Sequence, residues 1–308
     1  MIDFIAEAFG LPDLKPNFEP GKGLHHDRSG VNFAVAGATA FDPTFFNAQE
    51  LGSLLWTNHT LNVQLIWFQG LKSSLHCDPY FKKSLFLVGE IGGNNYNFLF
   101  TLGASVVQLR FMVPLVVGAI TNATSMLIEE GSVDLVVPGN FLIGCWTVYL
   151  ALFHSSNESD SDPRTGCLKA YNEFSKYHNS YVKRQLQILR QKYRHARIMY
   201  ADYYGAAIRF FCTPNHYGST QAACCGGGGP YHFDLSAMCG SNGSTLCTDP
   251  SVLVNWDGIH STEAVYQVIA KGWLHGPFTS PRLVASKSQW DNALASILLP
   301  KPNLCSWS

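Results

Sequence analysis

The chain has 308 residues, is 46% hydrophobic and only 14% charged, and carries 21 basic against 22 acidic residues, a net charge of −1. This excludes a mainly disordered chain, which would be rich in charge and poor in apolar residues. It also gives no overall attraction to nucleic acid. A collagen period, a heptad run and a repeat array are all absent from the sequence.

In chain order, Met1-Ile2-Asp3-Phe4 has neither the basic start nor the long apolar run of a signal peptide. Residues 31–37 read as a short strand closed by Gly37. Leu51, Leu54, Leu55, Leu61, Leu65, Phe68 and Leu71 recur at spacings of three, four or seven, which predicts a helix over 48–75. Residues 84–89 form a continuous apolar strand, and helices follow around 95–110 and 112–130. Further strands are expected at 133–138 and 197–202, with a long amphipathic helix over 167–194 between them. Continuous apolar strands separated by helices predict a parallel sheet covered on both faces. The fold class is therefore α/β, as one α/β/α domain over 1–308 with a Cys/Gly-rich loop insertion at 212–256.

Residues 98–120 and 133–152 are apolar enough to raise a membrane question. The first holds Gln108, Arg110 and Pro114, and the second holds Asp134 and the Pro138-Gly139-Asn140 break, so both are expected to be buried elements and not integral spans. Gly226 to Gly229 lack the following Lys-Ser or Lys-Thr of a phosphate loop and read as a flexible or tightly turning surface loop. The nine cysteines include no C-x-x-C pair, so a disulfide framework fits better than a zinc site over 212–260. Four N-x-[ST] sequons, at Asn58, Asn122, Asn157 and Asn242, are candidate glycosylation sites. Cysteines and sequons together point to an oxidising compartment.

Three segments can carry chemistry. In Trp256-Asp257-Gly258-Ile259-His260, an Asp three residues before a His can accept from imidazole Nδ1 and leave Nε2 as a general base. Alone, this spacing also fits polar surface. Gly89-Glu90-Ile91-Gly92-Gly93-Asn94-Asn95 follows a buried strand, where ligands of open α/β sheets bind. Its amides can donate to a developing oxyanion, although a Gly/Asn turn would look the same. Gly37 ends the 31–37 run, and its N–H is a second candidate donor or simply part of a terminating turn.

In this order the three segments resemble the plant GDSL esterase/lipase family of the SGNH hydrolase superfamily. The resemblance runs from Met1-Ile2-Asp3-Phe4-Ile5-Ala6-Glu7 to about Lys271 and includes Ile143-Gly144-Cys145, Gly166-Cys167-Leu168-Lys169 and Ala223-Cys224-Cys225-Gly226. It implies a three-layer flavodoxin-like α/β/α fold, hydrolysis of a small-molecule or lipid carboxylic ester, no metal, no organic cofactor and secretion. It implies oxyanion donors at Gly37 and Asn94, an orienting acid at Asp257, a base at His260, and a disulfide between Cys145 and Cys167.

The sequence departs from the family at the nucleophile. No Gly-Asp-Ser occurs in it, G-x-S-x-G is absent, and the one Asp-Ser pair, Asp160-Ser161, lies in a polar loop. Residues 1–36 hold a single serine, Ser29, outside any such motif. The nucleophile strand and a leader are expected to be missing from this sequence, leaving the segments near Val31 and Leu85 short of a ladder partner and the chain marginal or aggregation-prone. Asn95 stands where the family more often has Asp. The competing expectation is a non-catalytic ester- or glycan-binding protein on the same fold.

Overall fold

The computed structural model describes residues 1–19, 23–24, 30–75, 81–213 and 219–284. Ser29 lies outside them. The chain divides into two compact units, Met1–Asn140 with Tyr177–Ala201, and Phe141–Lys176 with Asp202–Ser308.

The first unit is built on a parallel sheet of β1 (Leu85–Leu87), β2 (Asp134–Pro138) and β3 (Arg197–Ala201). Leu135, Val136 and Val137 are fully buried, as are Met199 and Ala201. That burial matches their continuous apolar sequence and a sheet covered on both faces. The chain is α/β, as expected. Register is set at the strand starts: Asp134 opposes Arg197, and Arg197 Nε donates to Asp134 Oδ1 at 2.5 Å. Both side chains are partly exposed, so the pair acts as a register mark worth under about 1 kcal/mol. Helix Leu61–Leu75 brings Phe68 against Phe86 and Phe81, with ring centroids 5.5 and 5.3 Å away.

Three expected elements differ. Residues 31–37 form no strand; among the described residues the run makes one parallel bridge, Asn32 with Pro16. Its β-like composition has no ladder to join. The helix expected over 48–75 starts only at Leu61, after a single 3₁₀ turn at Gly52–Leu54. Thr60 stops it from beginning earlier: its hydroxyl binds Asp42 Oδ1 at 2.9 Å while its carbonyl accepts the first helical N–H, from Gln64. The stretch expected at 95–110 is two helices, Gly93–Thr101 and Val106–Arg110, the second opened by a Ser105/Gln108 capping box. Val113–Glu129 follows. By length and composition Val106–Glu129 could cross a membrane, yet half of its apolar window is buried within the protein, as in a core helix.

The second unit holds helices Thr147–Leu152, Tyr203–Cys212 and Glu263–Leu274, and helix Lys169–Lys192 is divided between the units. Fully buried Trp273 packs on Tyr203, which stacks on Phe141 at 4.0 Å. Cys145 and Cys167 are bonded, as are Cys224 with Cys247 and Cys225 with Cys239. The run Gly226 to Gly229 is a tight turn closed over His232 and Phe233, not a loose loop.

One buried titratable group sets a pH dependence. His178, in the first unit, is buried and has Nδ1 2.9 Å from the Tyr96 hydroxyl. Burial pushes its imidazole down to about 4. The unfolded chain takes up that proton near 6.5 and the folded chain does not. Stability is therefore whole above pH ~6.5 and falls as pH drops toward ~4, by up to about 3 kcal/mol. Urea unfolding at a series of pH values should show this slope, and His178→Gln should flatten it. An equal slope in the variant assigns it to other groups.

Candidate active site

In the first unit the candidate oxyanion donors are held side by side. Gly37 lies at φ +79°, in a turn closed by Ala38 N–H to Val35 C=O. Only glycine suits it: an added Cβ would stand 2.8 Å from Trp56 Cβ. Among the described residues, the Gly37 N–H meets no acceptor. Asn94 stands in the first turn of helix Gly93–Thr101, whose N-terminus is entered through Gly92 at φ +101°. There an added Cβ would meet Val116 Cγ1 at 2.7 Å. Asn94 Nδ2 donates to Ala38 C=O at 3.0 Å, which ties the helix start to the Gly37 turn and leaves its second N–H to give. Asn95 adds a tie that the sequence did not reveal. Fully buried, its Oδ1 accepts Ala40 N–H at 2.8 Å. The two expected donors are thus brought together by consecutive asparagines, at the positive end of a helix.

A second amide clamp sits at the end of β2. Asn179 Oδ1 accepts the Asn140 N–H at 2.6 Å, and Asn179 Nδ2 donates to the Asn140 carbonyl at 2.9 Å. Its partners are 39 residues apart, so no local pattern announces it.

In the second unit Asp257 and His260 are paired as expected. His260 Nδ1 lies 2.7 Å from Asp257 Oδ2. The other carboxylate oxygen accepts the N–H of Ile259 at 2.9 Å and of His260 at 2.7 Å, which fixes the turn. Burial works to raise the Asp257 carboxyl, but the bond to His260 and the two backbone N–H groups outweigh it and hold it below the usual carboxylate range. The His260 side chain is 60% exposed.

The cysteine-rich segment supports this turn. Cys224 and Cys225 N–H donate to the carbonyls of Asn255 and Trp256, at 3.0 and 2.6 Å, immediately before Asp257. The sulfurs of both are tied to Cys247 and Cys239. Val148 N–H holds Gly258 C=O at 3.0 Å from another side. What the sequence presented as a loop insertion is a brace for the Asp257–His260 turn. The sequence signal was the adjacency of two cysteines upstream of the Asp. Those four sulfurs are engaged with one another, and no cluster of three metal-ligating side chains occurs among the described residues.

The four sequon asparagines, Asn58, Asn122, Asn157 and Asn242, are all exposed.

Comparison with known proteins assigns the family. The model of the GDSL-like lipase/acylhydrolase family matches residues 1–273. A GDSL esterase/lipase of Arabidopsis thaliana is 47% identical over 293 residues, covering 91% of this chain and 78% of that protein. A second from the same plant is 44% identical, covering 91% and 72%. The sinapine esterase of Brassica napus is 43% identical, covering 91% and 74%. The chain belongs to the GDSL-like lipase/acylhydrolase family, and its class is hydrolase of ester bonds.

Asp257 should set the His260 tautomer. Nitrogen NMR at neutral pH is expected to place the proton on Nδ1. Asp257→Ala should move most of it to Nε2, while Cys145–Cys167, remote in sequence, stays intact. An unchanged tautomer would show that the carboxylate does not orient the ring.

Proposed function

We propose that this chain carries the base and oxyanion parts of a hydrolase for a small-molecule or lipid carboxylic ester, with His260 as general base, Asp257 as its orienting acid, and the Gly37 N–H and Asn94 Nδ2 as oxyanion donors. The observation that carries the reading is the Asp257 carboxylate, which holds the imidazole by one oxygen and its own turn by the other. Given the serine of a Gly-Asp-Ser strand, which this sequence does not contain, His260 Nε2 takes the hydroxyl proton as the serine oxygen attacks the ester carbonyl, and Asp257 stabilises the imidazolium that results. The carbonyl oxygen gains charge and is met by preset donors that need no reorganisation. His260 then returns the proton to the leaving alcohol, and water repeats the cycle on the acyl intermediate. The disulfides Cys145–Cys167, Cys224–Cys247 and Cys225–Cys239 and the exposed sequons support a secreted, glycosylated protein.

One observation favours a second reading. The sequence contains no Gly-Asp-Ser, so it presents His260 with no motif serine. Loss of one triad member costs several orders of magnitude in rate while leaving binding in place. A protein of this kind would bind an ester or glycan without turning it over.

The test is hydrolysis of p-nitrophenyl butyrate by the 308-residue chain, by the same chain with a Gly-Asp-Ser strand supplied ahead of it, and by a His260→Ala variant of the latter. Activity at background in the first, at least ~10³-fold higher in the second and lost in the third is expected. Folded but inactive protein in all three would favour the binding reading. Turnover by the first that requires His260 would mean another group serves as nucleophile.

A further inference from the structure

We propose that the exposed apolar stripe Leu102, Val107, Phe111 and Leu115 seats this protein on the surface of a phospholipid bilayer. The backbone stays right-handed helical through Phe111 and Met112, between helices Val106–Arg110 and Val113–Glu129. Val107, Phe111 and Leu115 are spaced by four and therefore share a face. They are 67%, 79% and 55% exposed, and Leu102, just before the capping box, is 54% exposed. The opposite face is fully committed to the core: Leu109, Val113, Val116, Val117 and Ile120 are buried. The amphipathic pattern is thus inverted on this helix, with apolar residues on both sides and nothing polar gained by exposing Phe111.

Charge identifies the occupant. From Ile91 to Ile128 the chain carries one charged side chain, Arg110, and no acid. Arg110 is exposed beside the stripe, with its guanidinium 5.3 Å from the Tyr177 ring centroid. An apolar face flanked by a cation, on a segment whose own residues carry no carboxylate, suits a headgroup layer that carries phosphate. Size argues in the same direction. Four side chains in a line one residue wide, bordered by Thr101, Ser105 and Gln108, fall far short of the roughly 800 Å² per partner of a stable protein interface. Insertion into lipid needs no matching surface, and a few apolar side chains suffice.

The test is co-sedimentation of the full chain with vesicles of phosphatidylcholine and phosphatidylglycerol in about a four-to-one ratio, and with phosphatidylcholine alone. The chain should partition onto the mixed vesicles. Phe111→Ser with Leu115→Gln should weaken partition by at least ~10-fold with an unchanged circular dichroism spectrum. Arg110→Gln should remove the preference for the anionic mixture and leave the folded protein intact. Unaltered partition in the double variant overturns the proposal, as does failure of the parent chain to sediment. So does a concentration-dependent dimer that the double variant abolishes, since the stripe would then be an interface between copies. None of these readouts involves ester turnover, so the proposal stands or falls apart from the catalytic reading.

Discussion

The Asp257 carboxylate divides its two oxygens between backbone and imidazole, and the chemistry of the second unit depends on that division. Oδ1 takes the N–H groups of Ile259 and His260, and Oδ2 takes His260 Nδ1. Hydrogen bonds to a charged acceptor contribute about 1.5–3 kcal/mol each, so a five-residue turn with little core of its own becomes rigid. A neutral Asn could hold the backbone with its one carbonyl oxygen, but would offer the ring a donor where it needs an acceptor. The brace formed by Cys224 and Cys225 acts one step further back. It fixes the carbonyls of Asn255 and Trp256, so the carboxylate starts from a set position.

The first unit meets the corresponding need without charge. Asn94 and Asn95 join the helix start to the Gly37 turn, and Asn179 grips both polar groups of Asn140. An ionised side chain in such buried places would need a partner for its charge, whereas an amide supplies donor and acceptor at once. A chain with only 14% charged residues is suited to this kind of wiring. The same economy bears on His178, which stays neutral beside Tyr96.

How much of this the sequence disclosed follows from the range of each interaction. The strands 134–138 and 197–201 were legible because burial on both faces demands an unbroken apolar run. The Asp257–His260 pair was legible because both partners lie within one turn. The expected strand at 31–37 failed because a strand is defined by its neighbour, and composition does not report one. The helix expected to begin at 48 failed because leucine spacing ignores Thr60, whose hydroxyl binds 18 residues away. The Cys145–Cys167 bond came from resemblance and not from spacing, and the bracing role of 224–247 needed the backbone bonds to Asn255 and Trp256 to be seen. The asparagine ties of 39, 55 and 56 residues were beyond any local pattern.

Each set of proposed site residues is thus supported by contacts of its own unit. Gly37 and Asn94 are joined by Ala38, and Asp257 and His260 by their own turn. None of these contacts involves a serine. Such sets keep their shape whether or not a nucleophile is presented, because nothing that holds them would be lost with it. Binding and turnover are therefore separable here on physical grounds. Oxyanion donors act on the carbonyl of any bound ester, whereas the base acts only when a hydroxyl stands in reach of Nε2. A hydrolase and a binder on this scaffold would share their affinity for an ester and differ by about 10³-fold or more in rate.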